Sequence, residues 1–315
     1  MTTVDTTYAP YAQDPGYIAA NAALIDGIDL RGVTLVADLA CGTGLLAQLL
    51  LQRAPHLAIC GIDLDPVQIG IAQRSFAASG ALVDSLAALR ARAAAGQGAV
   101  HLRAASAMRL PFASGEVDLV VMGNAIHMMP DRPAFLAEVA RVLRPGGRLV
   151  FNSVFYVGTF VPGSEAVFSE WMKEAVLVLN ELNAERQAAG LPSVPRQRGM
   201  AGRAFQKGWL SAAGWAEALA AAGLVVIAST DRPVPISRQG LELVGSYGGL
   251  AEVLMSGYPI EIASLCLQRG AARAFDTLGI AEVPRNWLEV TARRNQADPV
   301  GDTPGGAEAP GLHLQ

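Results

Sequence analysis

The chain has 315 residues, 51% of them hydrophobic and 17% charged, enough to bury a large core and more than a minimal nucleotide-binding sheet needs. A formal net charge of −4 argues against nucleic acid as a partner, which calls for a basic face. No apolar run reaches membrane-spanning length, residues Met1 to Gln13 lack the features of a signal peptide, and Cys41, Cys60 and Cys266 form no pairing or metal-ligand pattern, so a reduced, cytoplasmic setting without membrane or metal is expected.

In chain order, strands alternate with helices, the pattern of a doubly wound, mostly parallel α/β sheet. The first strand is expected at Thr34–Asp38, a helix follows from Gly44 to Arg53, and the second strand runs Leu57–Asp63. A helix starts at Pro66 with Asp65 as its cap, and an Ala-rich stretch, Ala77 to Ala95, extends that region. The third and fourth strands are placed at Val100–Ala104 and Val117–Met122. A helix over Pro133–Leu143 stops at Arg144-Pro145-Gly146-Gly147, and the fifth strand is Arg148–Ser153. Leu224–Ser229 and Trp287–Ala292 complete seven strands. The chain thus divides into N-terminal lid helices (1–30), a core (31–155), a helical insertion (156–207), a core continuation (208–236), a second helical insertion (237–284), a last core strand (285–295) and a disordered tail (296–315). A mean hydropathy of +0.31 calls for apolar surface covered by a lid or in a homodimer.

The first strand ends in a carboxylate, Asp38, and then a turn, Leu39-Ala40-Cys41-Gly42-Thr43-Gly44, leads into an apolar helix. A strand feeding a helix through a glycine turn brings bare backbone close to a ligand. Asp38 at the strand end would repel a pyrophosphate and suits a cationic ligand. Asp63, ending the second strand, can accept hydrogen bonds from two ribose hydroxyls, whereas Asp65 is the better helix cap.

Asp38 to Gly44 resembles motif I of the class I S-adenosylmethionine (SAM)-dependent methyltransferases, small-molecule enzymes of the type 11/25 kind, with Ala40 in place of the first glycine. Gly42-Thr43-Gly44-Leu45-Leu46-Ala47 alone also matches a nicotinamide-dinucleotide fingerprint. The remaining markers separate the two. Ala105-Ser106-Ala107-Met108-Arg109-Leu110-Pro111-Phe112 resembles the methyltransferase segment Gly-Asp-Ala-x-x-Leu-Pro-Phe, with Ser106 at the Asp position. Asp118, Ala125 to Asp131 and Arg141 to Gly147 match the segments that follow. No Tyr-x-x-x-Lys pair of a reductase occurs. The resemblance implies a seven-stranded Rossmann-like sheet with helical lids and SAM as cofactor. It places Asp38 near the methionine ammonium, the turn of Ala40, Gly42 and Gly44 around it, Asp63 on the ribose, Leu64 and Met108 about the adenine (a core role is their alternative), Ser106 and Ala107 on its amino group, and Gly123 and Asn124 at the methionine end.

Methyl transfer needs alignment, exclusion of water and often a proton acceptor. His127, after the fourth strand, is the candidate base, with lining the pocket as its alternative role. Phe155, Tyr156, Phe160, Phe168 and Trp171 suggest an apolar pocket or a lid packed on itself. Glu170 or Glu174 beside Trp171 is a second candidate base, most simply read as part of a solvated acidic face with Glu181 and Glu185. Arg196, Arg198, Arg203 and Lys207 form a cation run that suits a solvated loop or an anion clamp. Tyr8, Tyr11 and Tyr17 are expected to fold over the cofactor. The expected activity is transfer of a methyl group to an oxygen, or a carbon, of a small, largely apolar metabolite of secondary metabolism. A SAM-bound non-methyl reaction, cyclisation or decarboxylation, is the alternative, with an NAD(P) reductase behind it.

Overall fold

A computed structural model describes residues 4–197 and 208–295. The strands are β1 (Leu35–Leu39), β2 (Ala58–Asp63), β3 (Ala99–Ala104), β4 (Val117–Gly123), β5 (Leu143–Ser153), β6 (Leu224–Ser237) and β7 (Glu282–Arg294). They form one sheet in the order β3-β2-β1-β4-β5-β7-β6. The first five pair in parallel, and β7 runs antiparallel to both β5 and β6. The order reverses at β1 and β4, the switch point where open α/β sheets bind ligands beyond their strand C-termini.

Both faces of the central strands are buried, as a doubly wound sheet requires. Leu35, Ala37 and Leu39 of β1 enter one apolar cluster with Phe135, Phe151 and Trp215. Val36, pointing the other way, joins Leu24, Leu46 and Leu50 on the opposite face. The covering helices are α1 (Pro15–Asp26), α2 (Leu45–Arg53), α3 (Pro66–Ala78), α4 (Leu86–Ala94), α5 (Arg132–Val142) and α7 (Ala212–Ala221), with α6 (Glu165–Ala188) between β5 and α7. Asp65 caps α3 as expected, accepting from the Val67 N–H at 2.8 Å with Pro66 in the first turn. Asp14 and Asp131 cap α1 and α5 in the same manner. The Ala-rich stretch is not one long helix: α3 ends at Ala78 and α4 is a separate helix capped by Ser85.

Three expected boundaries shift for identifiable reasons. The segment Arg144 to Gly147 does not separate helix from strand. It lies within β5 as a bulge, with Val117 facing Leu143 and Leu119 facing Arg148, and Gly146 at φ +77° makes the turn. Strand β6 reaches Ser237 and β7 begins at Glu282, both longer than expected. Pro233 and Pro235 look like strand breakers, but β6 is the sheet edge, where a missing N–H costs little; Pro284 of β7 lies outside the stretch Leu288–Arg293 that pairs with β5.

The second insertion holds α8 (Arg238–Ser246), α9 (Gly248–Leu254) and α10 (Ile260–Leu278). With α6 they bury a separate apolar core around Trp171, Leu179, Leu241 and Phe275. Gly270 lets α10 approach α6 closely, since a Cβ there would come within 2.6 Å of the Ala175 nitrogen. The Trp171 indole N–H donates to the Leu267 carbonyl at 2.7 Å across the same contact. Among the described residues no helix is long and apolar enough to cross a membrane. All three cysteines are buried and unpaired. The expected disordered tail, 296–315, and the cations Arg198, Arg203 and Lys207 lie outside the described residues.

Candidate functional site

At the C-terminal ends of β1 and β2 the chain builds a carboxylate floor beneath a strained turn. Ala40, Gly42 and Gly44 have φ of +51°, +52° and +88°, three left-handed residues within five positions. Gly44 has no room for a side chain, because a Cβ would come within 2.7 Å of the Phe76 ring. Ala40 adopts the left-handed conformation without glycine's freedom, which costs about 1–2 kcal/mol. Asp63 Oδ2 accepts the Gly42 N–H at 2.8 Å and Oδ1 accepts the Asp65 N–H at 2.9 Å. The second strand's terminal carboxylate therefore fixes the first strand's turn.

Asp38 is fully buried, and neither carboxylate oxygen has a hydrogen-bond partner among the described residues. Burial above all, then the charge of Asp63, pushes its carboxyl up to about 8, and the neighbouring Ala47 N–H holds it from going higher. Its charge acts on Tyr17 and Cys41. An orphaned buried carboxylate beside open backbone is a costly arrangement that a cationic ligand would relieve.

One cavity of about 930 Å³ begins at this turn and extends under α6, α8 and α9. It is lined at the first end by Ala40, Gly42, Asp63, Asp65 and Asn124, and further in by His127, Phe155, Phe168, Trp215 and Arg285. Asp38 and Gly44 are not on its wall; they lie in the floor and support of the turn. Nor do Leu64, Ser106, Ala107 and Met108 reach it, although Ala104 pairs with Asp63 and so brings the Ser106 segment alongside the second strand end. Leu64 is 74% exposed between Asp63 and the α3 cap, which removes a core role for it. Ser106 Oγ is turned back on its own loop, accepting the Met108 N–H at 3.2 Å. Ala107 is buried, and Met108 is half-buried against the sheet core.

Asn124 closes β4 at φ +48°, a conformation asparagine tolerates. Its N–H donates to Asn152 Oδ1 at 2.7 Å and its own Oδ1 accepts the Val154 N–H at 3.0 Å. Asn152 Nδ2 donates to Asn21 Oδ1 at 3.1 Å, and Asn21 Nδ2 donates to the Tyr17 carbonyl at 2.9 Å. This buried chain ties α1 to the ends of β4 and β5. Above it Tyr8 packs edge-on with Tyr11, Tyr17 and Tyr247, and Tyr17 edge-on with Trp287, and Tyr8, Tyr11 and Tyr17 line the cavity. Asn21 and Asn152 were not among the expected residues, although a lone asparagine in the apolar run Ile18 to Ile25 is a signal for a buried polar contact.

His127 lines the cavity with Nδ1 3.2 Å from Ser153 Oγ and its ring 4.1 Å from the Phe155 ring centre. Burial and the Arg285 charge pull its imidazole down to about 3, so it stays neutral throughout the physiological range. Glu170 is not brought to the cavity. Lys173 Nζ holds it at 2.9 Å, one residue before Trp171, which does line the wall. Glu174 is buried in α6 but is not on the wall either, and Glu181 pairs with Arg273 at 2.7 Å. The aromatic run serves both expected ends: Trp171 belongs to the lid core, while Phe155, Phe160 and Phe168 face the cavity. Arg285, Trp209, Trp215 and Tyr247 also line it and were not expected; none carries a local motif.

The family model for a methyltransferase domain matches residues 37–151. The chain is 35% identical over 148 residues to the demethylmenaquinone methyltransferase of Thermus thermophilus, covering 43% of this chain and 60% of that one. It is 30% identical over 171 residues to the 27-O-demethylrifamycin SV methyltransferase of Amycolatopsis mediterranei, covering 52% of this chain and 56% of that one. The matched stretch thus spans 60% or less of either relative's length. Among solved structures, the (4+2)-cyclase SpnF superposes over 89% of this chain and 81% of its own, with a TM-score of 0.51 at 20% identity, which shows a shared fold.

Proposed function

We propose that this chain, whose residues 37–151 are a class I SAM-dependent methyltransferase domain, transfers a methyl group from SAM to a nucleophilic oxygen, or a carbon, of a small, largely apolar acceptor. One observation carries this reading. Among the described residues, one cavity joins the acid-floored glycine turn to an aromatic chamber under the lid helices, and its volume of about 930 Å³ is large enough for two ligands to meet. The relatives, by their names, act on demethylmenaquinone and on 27-O-demethylrifamycin SV, in keeping with such an acceptor.

The residues present fit the cofactor. Asp38 supplies an unpaired buried carboxyl that a cation would ionise and pair with, the backbone of Ala40 to Gly44 stands open for close approach, and Asp63 is placed at the second strand end to meet a ribose. Leu64, Met108, Ser106 and Ala107 would border the adenine end of the groove, outside the cavity lining. When bound, SAM supplies an electrophilic methyl group on a sulfonium leaving group. The protein's part is then to exclude water and align the acceptor, work for the lid helices and the aromatic wall. With its imidazole held near 3, His127 is a weak proton acceptor, and its role in this reading is to pack on Phe155 and orient the acceptor.

The test incubates purified protein with methyl-labelled SAM and a panel of phenols, enols, carboxylic acids and prenyl diphosphates, read by mass spectrometry. A labelled product from the phenol or enol arm is expected, together with calorimetric binding of SAM and none of NADH. Absence of SAM binding would sink the reading.

A further inference from the structure

Arg285 sits near the start of β7, bridged through its backbone to Phe160. Its guanidinium lies over three rings, 5.5 Å from Phe155, 5.3 Å from Phe160 and 5.1 Å from Phe168. Its Nε donates to Thr159 Oγ1 at 2.9 Å and one Nη2 hydrogen points to the Val154 carbonyl at 3.4 Å. A guanidinium has five N–H donors, so the remaining three meet no acceptor among the described residues. No carboxylate among them pairs with it; the titratable groups it acts on are Tyr11 and His127. Burial pulls even this strongly basic group down, to about 10.

A buried cation with donors to spare is expensive unless something completes it. Aromatic faces offset part of the cost and leave the fork of N–H groups open. The cavity is also divided by charge. Its acids, Asp63 and Asp65, line the turn end, and its cations, Arg285 and the less buried Arg132 on the Trp215 ring, line the lid end. A ligand spanning the lid end meets an aromatic wall into which the Arg285 guanidinium is set.

We propose that the acceptor is an apolar, ring-bearing anion whose carboxylate, enolate or phenolate oxygen is held by Arg285. This deepens the methyltransferase reading and rests on it. Where the held oxygen is itself the methylated one, it arrives without a proton to lose, and the cavity's histidine need not act as a base.

The probes are 1-anilinonaphthalene-8-sulfonate and its uncharged parent N-phenyl-1-naphthylamine, titrated by fluorescence in the presence of saturating S-adenosylhomocysteine. The native protein is expected to bind the sulfonate at least ten-fold tighter than the parent. Arg285→Met should lose ten-fold or more for the sulfonate and less than two-fold for the parent. Arg285→Lys should recover part of the loss, and Arg132→Met should change either probe less than three-fold. Equal affinity of the native protein for the two probes overturns the proposal without any variant, as does a parallel loss of both probes in Arg285→Met alongside intact binding in Arg285→Lys. Calorimetry with S-adenosylhomocysteine keeps the two readings apart. Cofactor binding without preference for the anion sinks the anion site alone, and preference for the anion without cofactor binding sinks the methyltransferase reading.

Discussion

At one end of the cavity, residues 38–65 supply a carboxylate floor, a left-handed turn and a second carboxylate that fixes that turn through backbone N–H groups. At the other end, His127, Phe155, Phe168, Trp215 and Arg285 come from five separate segments, and their chemistry is all in side chains. A ligand at the first end is met by main chain and by a charge set in the sheet. At the second it is met by rings and one guanidinium that exchange of a few residues would remake. The difference teaches where variation is tolerated: a backbone-built site constrains conformation, and a side-chain-built site constrains only volume and charge.

The sharpest way to break the comparison is to remove the floor. Asp38→Asn keeps the shape and deletes the charge. SAM affinity should fall 100-fold or more, about 3 kcal/mol, by calorimetry. The native protein should also show a pH signature that the variant lacks. With its carboxyl raised to about 8, Asp38 is mostly protonated at pH 7, and a cationic ligand favours the ionised form. Binding therefore releases a proton, and affinity falls as pH drops below 8, by at most ten-fold per unit. Stability runs the other way. The folded state holds the Asp38 proton more tightly than the unfolded chain, so this residue's contribution is fully present below the unfolded carboxylate value and declines as pH rises to about 8. Between pH 6 and 8 that decline amounts to at most about 2.7 kcal/mol, two pKa units' worth, and urea unfolding of Asp38→Asn should not show it. Equal SAM affinity in the two proteins would mean that the turn's backbone alone selects the ligand.

A smaller effect is expected at the other end. If rings and volume define the chamber, His127→Asn should lower kcat less than ten-fold. At saturating SAM, the native rate should show no inflection between pH 5 and 8 that the substitution removes, because an imidazole held near 3 does not titrate there. An inflection near the ordinary histidine value that disappears in His127→Asn would restore the role of general base and make this end chemically as specific as the first.

The same contrast explains what was legible beforehand. Asp38, Ala40, Gly42 and Gly44 fall in one short run and Asp63 and the Asp65 cap in a second, and the order within each encodes a strand end, a turn and a helix start. Arg285 is invisible by that route, because the Thr159 hydroxyl it bonds lies 126 residues away and its rings come from the loop after β5 and from α6. Glu170 drew notice as an acid beside Trp171, yet helical geometry sends neighbouring residues in different directions, and a lysine three residues on takes it up. The Arg144 to Gly147 bulge and the prolines of β6 read as stops because local signals do not say whether a strand lies at an edge or can absorb a bulge.

Ala40 offers the finest test, since a single methyl group at the edge of the sheet core separates it from glycine. Its φ of +51° carries a strain of about 1–2 kcal/mol that glycine would not feel. Glycine would in turn add about 0.4–1 kcal/mol of entropy to the unfolded chain, so Ala40→Gly should stabilise the fold by about 0.5–1 kcal/mol in urea unfolding. The Gly42 N–H would still reach Asp63, because that bond depends on the turn and not on the methyl group, and SAM affinity should move less than three-fold. Ala40→Val should destabilise by more than alanine's own strain, since a β-branched side chain fits the left-handed region worst. A gain in stability from glycine accompanied by a large loss of affinity would show that the alanine methyl holds the turn in its binding shape, and the first end would then depend on side chains as the second does.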